Sequence, residues 1–397
     1  MNHSVSPRWF PVPAEMRLGP LWLAAALVFA ASMFVAPRTS TGRESRGDET
    51  DTAVDLEAIQ QAFQQVVERV APSVVGIRAC RHHVATAPPD DDSTVREQRV
   101  LVNGSGTIIG EEGLILTNEH VVQSATEIVV LFYDGSESPA TLVAADPRSD
   151  LAILHVARSG LVPATMCDWT KVARGQWTIV LGNPFGLGSD GQLSAAVGVV
   201  ANLGRQLPGL GEADDRFYSD MIQTTAPINP GHSGGPIFNV RGELIGVVTA
   251  MHTRAPADEG VGFAIPMTPA KRRVIESLRQ GRLIQYGYLG LTVRVPELEE
   301  REILGLAVSQ GVVVQQVEPD GPAANAGVQA GDVIRDYEGH AVTGPGQLAE
   351  LVGFTAVGTR ARLDLVRDGR TTAVEATVGL REAERVAWMR GMQTNPR

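Results

Sequence analysis

Three side chains in this sequence of 397 residues could together carry out nucleophilic catalysis. Ser233 lies within the glycine-rich hexapeptide 231–236, His120 directly follows a strand-like segment, and Asp150 opens another such segment. Because a hydroxyl is a weak nucleophile, it needs a base to accept its proton, and a histidine held in the correct tautomer by a buried carboxylate supplies that base. The sequence therefore predicts a catalytic triad of His120, Asp150 and Ser233.

The glycines around Ser233 have a second chemical purpose. Attack by the serine creates an oxyanion, which backbone N–H donors must stabilise, and glycine permits the tight turn that aims these donors. We expect the N–H groups of Gly231 and Ser233 to form the oxyanion hole. Taken alone, the motif would also fit a glycine-rich hairpin turn, and a lone histidine is more often structural. Three matching sites in one chain favour catalysis.

Residues 74–266 consist mostly of short apolar segments separated by turns. This pattern is typical of an all-β sandwich or a pair of barrels. The chain order His, Asp, Ser is that of the chymotrypsin-type β-barrels and differs from the subtilisin and α/β-hydrolase orders. We therefore predict a mainly β fold in which a double barrel carries the triad.

The folded part is predicted to contain two units. The first, residues 55–282, begins with an apolar stripe of helical spacing. It ends with a helix that has Thr268 as its N-cap, Pro269 at its first position and Gly281 just past its end. The second unit, residues 283–382, is smaller. Its predicted elements are strands over 311–317 and 333–337, helices over 323–326 and 347–352, and a hairpin through Asp368-Gly369.

Both ends of the chain are predicted to lie outside these units. Residues 18–36 are almost uninterruptedly apolar and long enough to cross a bilayer, so we predict a transmembrane signal anchor, with a cleaved signal peptide as the alternative. Residues 1–17 would then be a cytoplasmic tail and residues 37–54 a flexible linker. Basic residues flank the apolar segment on both sides, so charge does not support an external C-terminal part. Residues 383–397 are predicted to be a C-terminal tail.

The composition excludes some other functions. The net charge of −11 is accompanied by acidic patches and no comparable basic run, which argues against a nucleic-acid partner. No cofactor is expected. A metal hydrolase using His82, His83 and the acidic run 90–92 is a poor alternative, because the spacing is not that of metal ligands. Cys80 and Cys167 are distant in sequence and are expected to be buried thiols, although an oxidising compartment would permit a disulfide.

The chain resembles the HtrA family of trypsin-like serine proteases with C-terminal PDZ domains over residues 70–380. The resemblance implies two six-stranded barrels with the triad in the cleft between them, and commonly a homotrimer formed through the protease domains. One PDZ domain behind an N-terminal anchor is most similar to the membrane-tethered, regulatory branch, whose folded domains lie on the periplasmic side of the inner membrane. The matching segments are 104–106, 117–121, 150–154, 181–186, 228–235 and 262–266.

The nucleophile loop departs from the family pattern at three positions. His232 replaces the usual Asn before the nucleophile, Thr225 replaces Asp, and Pro227 replaces Ala. We interpret His232 as a packing residue rather than as a second base. The predicted substrate-binding residues are Pro227, Ile228, Asn229, Thr249 and Ala250.

The smaller unit carries a second predicted binding site. The tetrapeptide Tyr288-Leu289-Gly290-Leu291 resembles the loop with which PDZ domains bind a C-terminal carboxylate through successive backbone N–H groups. Leu348 and Leu351 are expected to form the helical wall of the groove. The expected ligands are apolar C-termini of misfolded or client proteins, which would deliver substrate or shift the protease towards its active state.

These observations predict an extracytoplasmic serine endopeptidase of protein quality control or envelope-stress signalling. Its partners would be unfolded or client polypeptides, and C-terminal peptides at the PDZ domain would regulate it. The alternative is a catalytically silent chaperone or scaffold that binds extended segments; the unusual His232 motivates it.

The first testable prediction concerns cleavage specificity. In the trypsin pattern, an acidic residue six positions before the nucleophile selects basic side chains, and Pro227 occupies that position here. With no carboxylate there to pair with a buried charge, we expect cleavage after small or medium aliphatic residues such as Ala, Val or Ile. A peptide-library profile dominated by Arg or Lys before the scissile bond would contradict this expectation.

Overall fold

The structure is a computed structural model that describes residues 55–85, 96–186, 192–207, 216–218, 220–249, 261–304 and 310–380. The predicted tail, anchor and linker (1–17, 18–36 and 37–54) and the C-terminal tail (383–397) lie outside the described residues, as does the acidic run 90–92. Within the described ranges, no helix has both the length and the apolar character needed to span a membrane.

The folded part opens with helix α1, Leu56–Val70, where the apolar stripe predicts it. The side chain of Asp55 caps the helix by accepting hydrogen bonds from the backbone N–H groups of Glu57 and Ala58. The buried face of α1, including Val66 and Val70, packs onto the same core as the second barrel. The helix therefore belongs to the catalytic unit.

The first barrel is a closed six-stranded sheet with strand order β1-β2-β3-β6-β5-β4. Its closure removes exposed sheet edges and encloses a core of Val, Ile, Leu, Ala and Phe side chains. A short helix, α2 (Glu119–Val122), lies between β3 and β4. The strands are β1 Val74–Ala85, β2 Arg96–Ile108, β3 Leu114–Thr117, β4 Glu127–Leu131, β5 Glu137–Asp146 and β6 Leu151–Val156.

The second barrel contains the predicted six strands and one more. Its sheet has the order β11-β8-β9-β10-β13-β12-β7, and an additional β11–β12 pairing closes six of these strands into a ring. The extra strand, β7, pairs in parallel with β12. The strands are β7 Thr165–Met166, β8 Trp177–Gly182, β9 Ser194–Arg205, β10 Met221–Thr224, β11 Pro236–Phe238, β12 Glu243–Thr249 and β13 Gly262–Pro266.

Helix α3, Pro269–Arg279, follows the second barrel and matches its prediction at both ends. The side chain of Thr268 accepts from the N–H of Lys271, and Gly281 has a positive φ of 65°, a conformation that glycine adopts without strain. The apolar face of α3, which includes Val274, Ile275 and Leu278, is buried.

The smaller unit is a five-stranded sheet of order β15-β16-β17-β19-β20, with β18 paired to β17 and a separate β14–β21 pair. Helices α5 and α6 and the hairpin joining β19 to β20 lie where the sequence predicts them. The elements are β14 Gly287–Tyr288, β15 Leu291–Arg294, α4 Leu298–Leu304, β16 Val312–Val317, α5 Pro322–Asn325, β17 Val333–Tyr337, β18 His340–Ala341, α6 Pro345–Gly353, β19 Arg360–Arg367, β20 Arg370–Thr377 and β21 Gly379–Leu380.

The two units are joined by a buried ion pair. Lys271 of α3 donates to Glu350 of α6 over 2.8 Å, and the ammonium also lies 3.9 Å from the ring centroid of Phe354. Burial, together with the nearby Glu350 charge, raises the pKa of Asp220 to about 6. Since Asp220 directly precedes β10, this charged cluster reaches the strand that leads towards the nucleophile loop. Cys80 and Cys167 are both buried free thiols, as expected.

Candidate active site

His120 and Asp150 meet at one end of the first barrel. His120 lies in α2, and Asp150 directly precedes β6 with a positive φ of 54°, an uncommon conformation for a non-glycine residue. Nδ1 of His120 lies 2.8 Å from Oδ2 and 3.0 Å from Oδ1 of Asp150, and the backbone N–H of His120 donates to Oδ1 over 3.1 Å. A carboxylate at Nδ1 holds the proton there and directs the basic Nε2 towards substrate.

The Asp150 carboxylate is completely buried and has donors besides His120. The guanidinium of Arg216 donates to Oδ1 over 2.6 Å, and the hydroxyls of Tyr218 and Thr249 donate to Oδ2 over 3.0 Å and 3.3 Å. Arg216 also donates to the buried Glu119 over 2.7 Å. One short segment, 216–218, thus supplies two of the donors that compensate the buried charge.

These contacts determine the ionisation of the site. Burial alone would raise the pKa of Asp150, but the hydrogen bond and charge of His120 and the charge of Arg216 outweigh burial and leave that pKa below its ordinary value. Burial and the Asp150 charge raise the pKa of Tyr218, so its hydroxyl stays protonated and can donate. Asp150 is therefore a carboxylate at neutral pH, as the triad requires.

The nucleophile loop is supported by Ser105 at the end of β2. Its hydroxyl donates to the carbonyl of Gly231 over 2.6 Å and accepts from the N–H of Asn183 over 2.9 Å. The backbone N–H of Ser105 donates to the carbonyl of Ser233 over 2.8 Å. Gly234 has a φ of 83°, and a Cβ there would collide with Thr117. The glycines are therefore needed for both backbone conformation and space.

Gly104 places the nucleophile loop next to the histidine. A Cβ on this residue would lie 2.6 Å from the side chain of Val121, the neighbour of His120, and 3.2 Å from the carbonyl oxygen of Ser233. Only a glycine allows so close an approach. The His120 side chain is 31% exposed, whereas Ser233 is largely buried. Gly104 thus lets the segment that carries His120 lie against the loop that carries Ser233.

His232 is buried beneath the same loop. Its Nδ1 accepts a hydrogen bond from the backbone N–H of Asn229 over 3.0 Å, and its ring packs beside Gly182. Burial lowers the pKa of His232, which favours the neutral imidazole needed for this acceptor role. This geometry supports a packing role rather than that of a second base.

Comparison with known proteins agrees with this geometry. A trypsin-like peptidase domain matches residues 104–247, and a PDZ domain matches residues 287–378. The solved HtrA-type protease AlgW with a decapeptide is 33% identical, with a TM-score of 0.61, and the match covers 80% of this chain and 98% of that one. AlgW with a tripeptide is also 33% identical, with a TM-score of 0.63 and coverage of 80% and 97%. The chain belongs to the HtrA-type protease family.

Curated relatives carry similar names. The probable periplasmic serine endoprotease DegP-like of Pseudomonas fluorescens is 37% identical over 325 residues, and that of Pseudomonas fulva is 36% identical over 330 residues. These matches cover 82% and 83% of this chain. The chain spans about 63% of the length of the first of these relatives and 64% of the second.

The predicted substrate-binding residues lie in different surroundings. Pro227 and Asn229 are exposed on the loop before the nucleophile, and Ile228 packs against Gly262 of β13. Thr249 is buried and donates to Asp150, so its hydroxyl stabilises that carboxylate; contact with substrate stays a prediction. Ala250 lies outside the described residues.

The PDZ domain of this HtrA-type chain contains a groove of about 250 Å³ lined by Gly287–Leu291, Val293 and four residues of α6. Leu348 lines it as expected, with Pro345, Ala349 and Val352. Leu351, which we assigned to the same wall, instead lines a second cavity between the two domains. The reason is the helical period, because positions 345, 348, 349 and 352 share a face that excludes 351.

Ser105, Arg216 and Tyr218 contact the predicted site residues, and the sequence analysis did not name them. Ser105 lies within the matching segment 104–106, so the resemblance pointed to its position but not to its contacts. Arg216 and Tyr218 lie 66 and 68 residues from Asp150 and belong to no local motif. Their role becomes evident only from the folded structure.

His232 should make stability depend on pH. Because its folded pKa is depressed, unfolded chains bind a proton more readily at this residue, and stability is lost as the pH falls below about 6.5. We expect His232→Asn, which restores the usual family residue, to lose less thermal stability between pH 7.5 and 5 than the wild-type full chain in detergent. An equal or larger loss in the variant would contradict this prediction.

Arg216 should be required for stability and activity. Its side chain is only 8% exposed, and Arg216→Gln leaves two buried carboxylates without their shared cation. We expect a loss of about 3–5 kcal/mol in the free energy of unfolding and a lower kcat/KM. The matched control is Arg241→Gln, which breaks a pair whose arginine is 53% exposed and should cost at most about 1 kcal/mol. If denaturant titrations showed an equal loss in the free energy of unfolding for the two variants, Arg216 would not have the proposed role in compensating the buried carboxylates.

Proposed function

We propose that this chain is a serine endopeptidase that cleaves unfolded or client proteins through an acyl-enzyme intermediate. The observation that carries the proposal is the hydrogen bond between His120 Nδ1 and the buried Asp150, beside the Ser233 loop. In the first step, Nε2 of His120 takes the Ser233 hydroxyl proton while the oxygen attacks the peptide carbonyl. The carboxylate stabilises the imidazolium, which then protonates the leaving amine; water hydrolyses the acyl-enzyme by the same route.

The N–H groups of Gly231 and Ser233 are proposed to stabilise the oxyanion. The contacts of Ser105 with the carbonyls of both residues support this role, because they hold the loop backbone before substrate arrives. Preorganised donors of this kind contribute about 3 kcal/mol each to lowering the barrier. Pro227, Ile228 and Asn229 are proposed to contact the substrate from the preceding turn.

The PDZ groove is proposed to bind apolar C-termini and to regulate proteolysis. Gly290 has a φ of 76°, which suits a loop that turns successive N–H groups towards a carboxylate. The related AlgW structures hold a decapeptide and a tripeptide, and a peptide ligand is proposed here by that similarity. Tyr288, Leu289, Gly290 and Leu291 would bind the terminus, with Leu348 contacting the last side chain.

We further propose an extracytoplasmic location and a role in protein quality control or envelope-stress signalling. The curated relatives are named periplasmic, and residues 18–36 have the length and apolarity of a membrane anchor. The family resemblance adds a homotrimer formed through the protease domains. In this arrangement the anchor would tether the enzyme to the inner membrane, with both folded domains outside the cytoplasm.

Degradation of an unfolded protein tests the enzymatic function. We expect the full chain in detergent to degrade unfolded casein, and Ser233→Ala to abolish the activity, since loss of the nucleophile costs on the order of 10⁶ in turnover. Ser159→Ala, at an exposed serine remote from the site, is the matched control and should retain wild-type activity. Casein that is bound but left intact by the wild-type chain would instead identify a silent chaperone and would overturn the proposal.

A further inference from the structure

One residue lining the PDZ groove comes from the protease domain. Arg148 lies in the turn between β5 and β6, two residues before Asp150, yet its side chain lines the groove together with Gly287–Leu291. The guanidinium carbon lies 4.5 Å from the ring centroid of Tyr286. Because Tyr286 directly precedes Gly287, Arg148 lies at the end of the groove formed by the carboxylate-binding loop.

The loop itself offers no positive charge. Residues 285–291 contain neither Lys nor Arg, and the hydroxyl of Tyr288 donates to Glu318 over 2.7 Å, which places a carboxylate beside the loop. Backbone N–H groups alone would then have to bind an anion close to another negative charge. A guanidinium presents N–H donors in a planar fork that matches the two oxygens of a carboxylate.

We propose that Arg148, supplied by the protease domain, binds the terminal carboxylate of a peptide docked in the PDZ groove. The inference rests on the proposed function of the groove and assigns the cation that the loop lacks. Its stacking on Tyr286 and on Phe217, at 4.5 Å and 4.4 Å, engages the flat face of the guanidinium, whereas the donors lie in its plane. The carboxylate site is therefore shared between the two domains.

The same residue is joined to the catalytic carboxylate. The carbonyl of Arg148 accepts the backbone N–H of Phe217 over 2.7 Å, and Phe217 lies between the two residues that donate to Asp150, Arg216 and Tyr218. Phe217 also packs edge-on against Phe354 at the end of α6, with ring centroids 5.4 Å apart. The segment 216–218 would thus connect a carboxylate bound by Arg148 to the two side chains that donate hydrogen bonds to Asp150.

Peptide binding with and without a free C-terminus tests this inference. The probe is a fluorescent hexapeptide with an apolar last residue, prepared as the free acid and as the C-terminal amide, and titrated against the full chain in detergent. We expect amidation to weaken binding to the wild type at least about 10-fold more than binding to Arg148→Gln. Arg148→Lys should keep only part of the wild-type difference, because an ammonium retains the charge but not the planar fork. Arg158→Gln, which removes a guanidinium stacked on Phe132 in the same barrel, should behave like the wild type.

Each alternative outcome has a distinct meaning. An amidation penalty of equal size in the wild type and in Arg148→Gln would overturn the inference while leaving the groove's proposed function intact. Absence of free-acid peptide binding by the wild type would refute the proposed groove function itself. A third peptide, amidated but with Asp at the penultimate position, distinguishes recognition of the terminal carboxylate from recognition of an acidic side chain. If it regains affinity only when Arg148 is present, Arg148 recognises an acidic side chain and the inference is wrong.

Discussion

The buried charge of Asp150 is the constraint on which the active site depends. A fully buried carboxylate is costly unless hydrogen bonds and opposite charge compensate it, and here the donors come from both barrels. His120 belongs to the first barrel, Thr249 is the last residue of β12, and the segment 216–218 lies just before β10. The need to neutralise one carboxylate therefore holds the two barrels and His120 in a fixed arrangement.

The segment 216–218 also makes contacts to the PDZ domain. Arg216 and Tyr218 face the triad, while Phe217 packs among Tyr286 and Phe354 and receives the guanidinium of Arg148 on its ring. Phe217 thus faces the PDZ domain, and its two neighbours in the chain face the protease site. Coupling between packed domains can be carried by an element that contacts both of them, and the three residues 216–218 form such an element.

The parts that sequence could predict are those governed by local chemistry. Helix α3 was predictable at both ends because a threonine cap and a terminal glycine each act within a few residues. The triad could be proposed because its motifs are short and specific; the structure brings His120 and Asp150 together, and the catalytic roles stay predictions. Arg216 and Tyr218 were not predictable, since their contacts to Asp150 span more than 60 residues and follow no pattern. On α6, Leu348 was assigned correctly to the groove, but the next wall position is Val352, while Leu351 lines the interdomain cavity.

Covalent labelling with a fluorophosphonate tests most directly whether the buried Asp150 charge activates the serine. The reagent reacts with a serine whose proton a neighbouring base accepts during the attack and which faces a formed oxyanion hole. We predict labelling of the wild-type chain at Ser233 and a rate lower by about 10⁴ in Asp150→Asn, which keeps the shape of the side chain but favours the wrong histidine tautomer. Equal labelling rates in the two proteins, or an unlabelled wild type, would contradict this account.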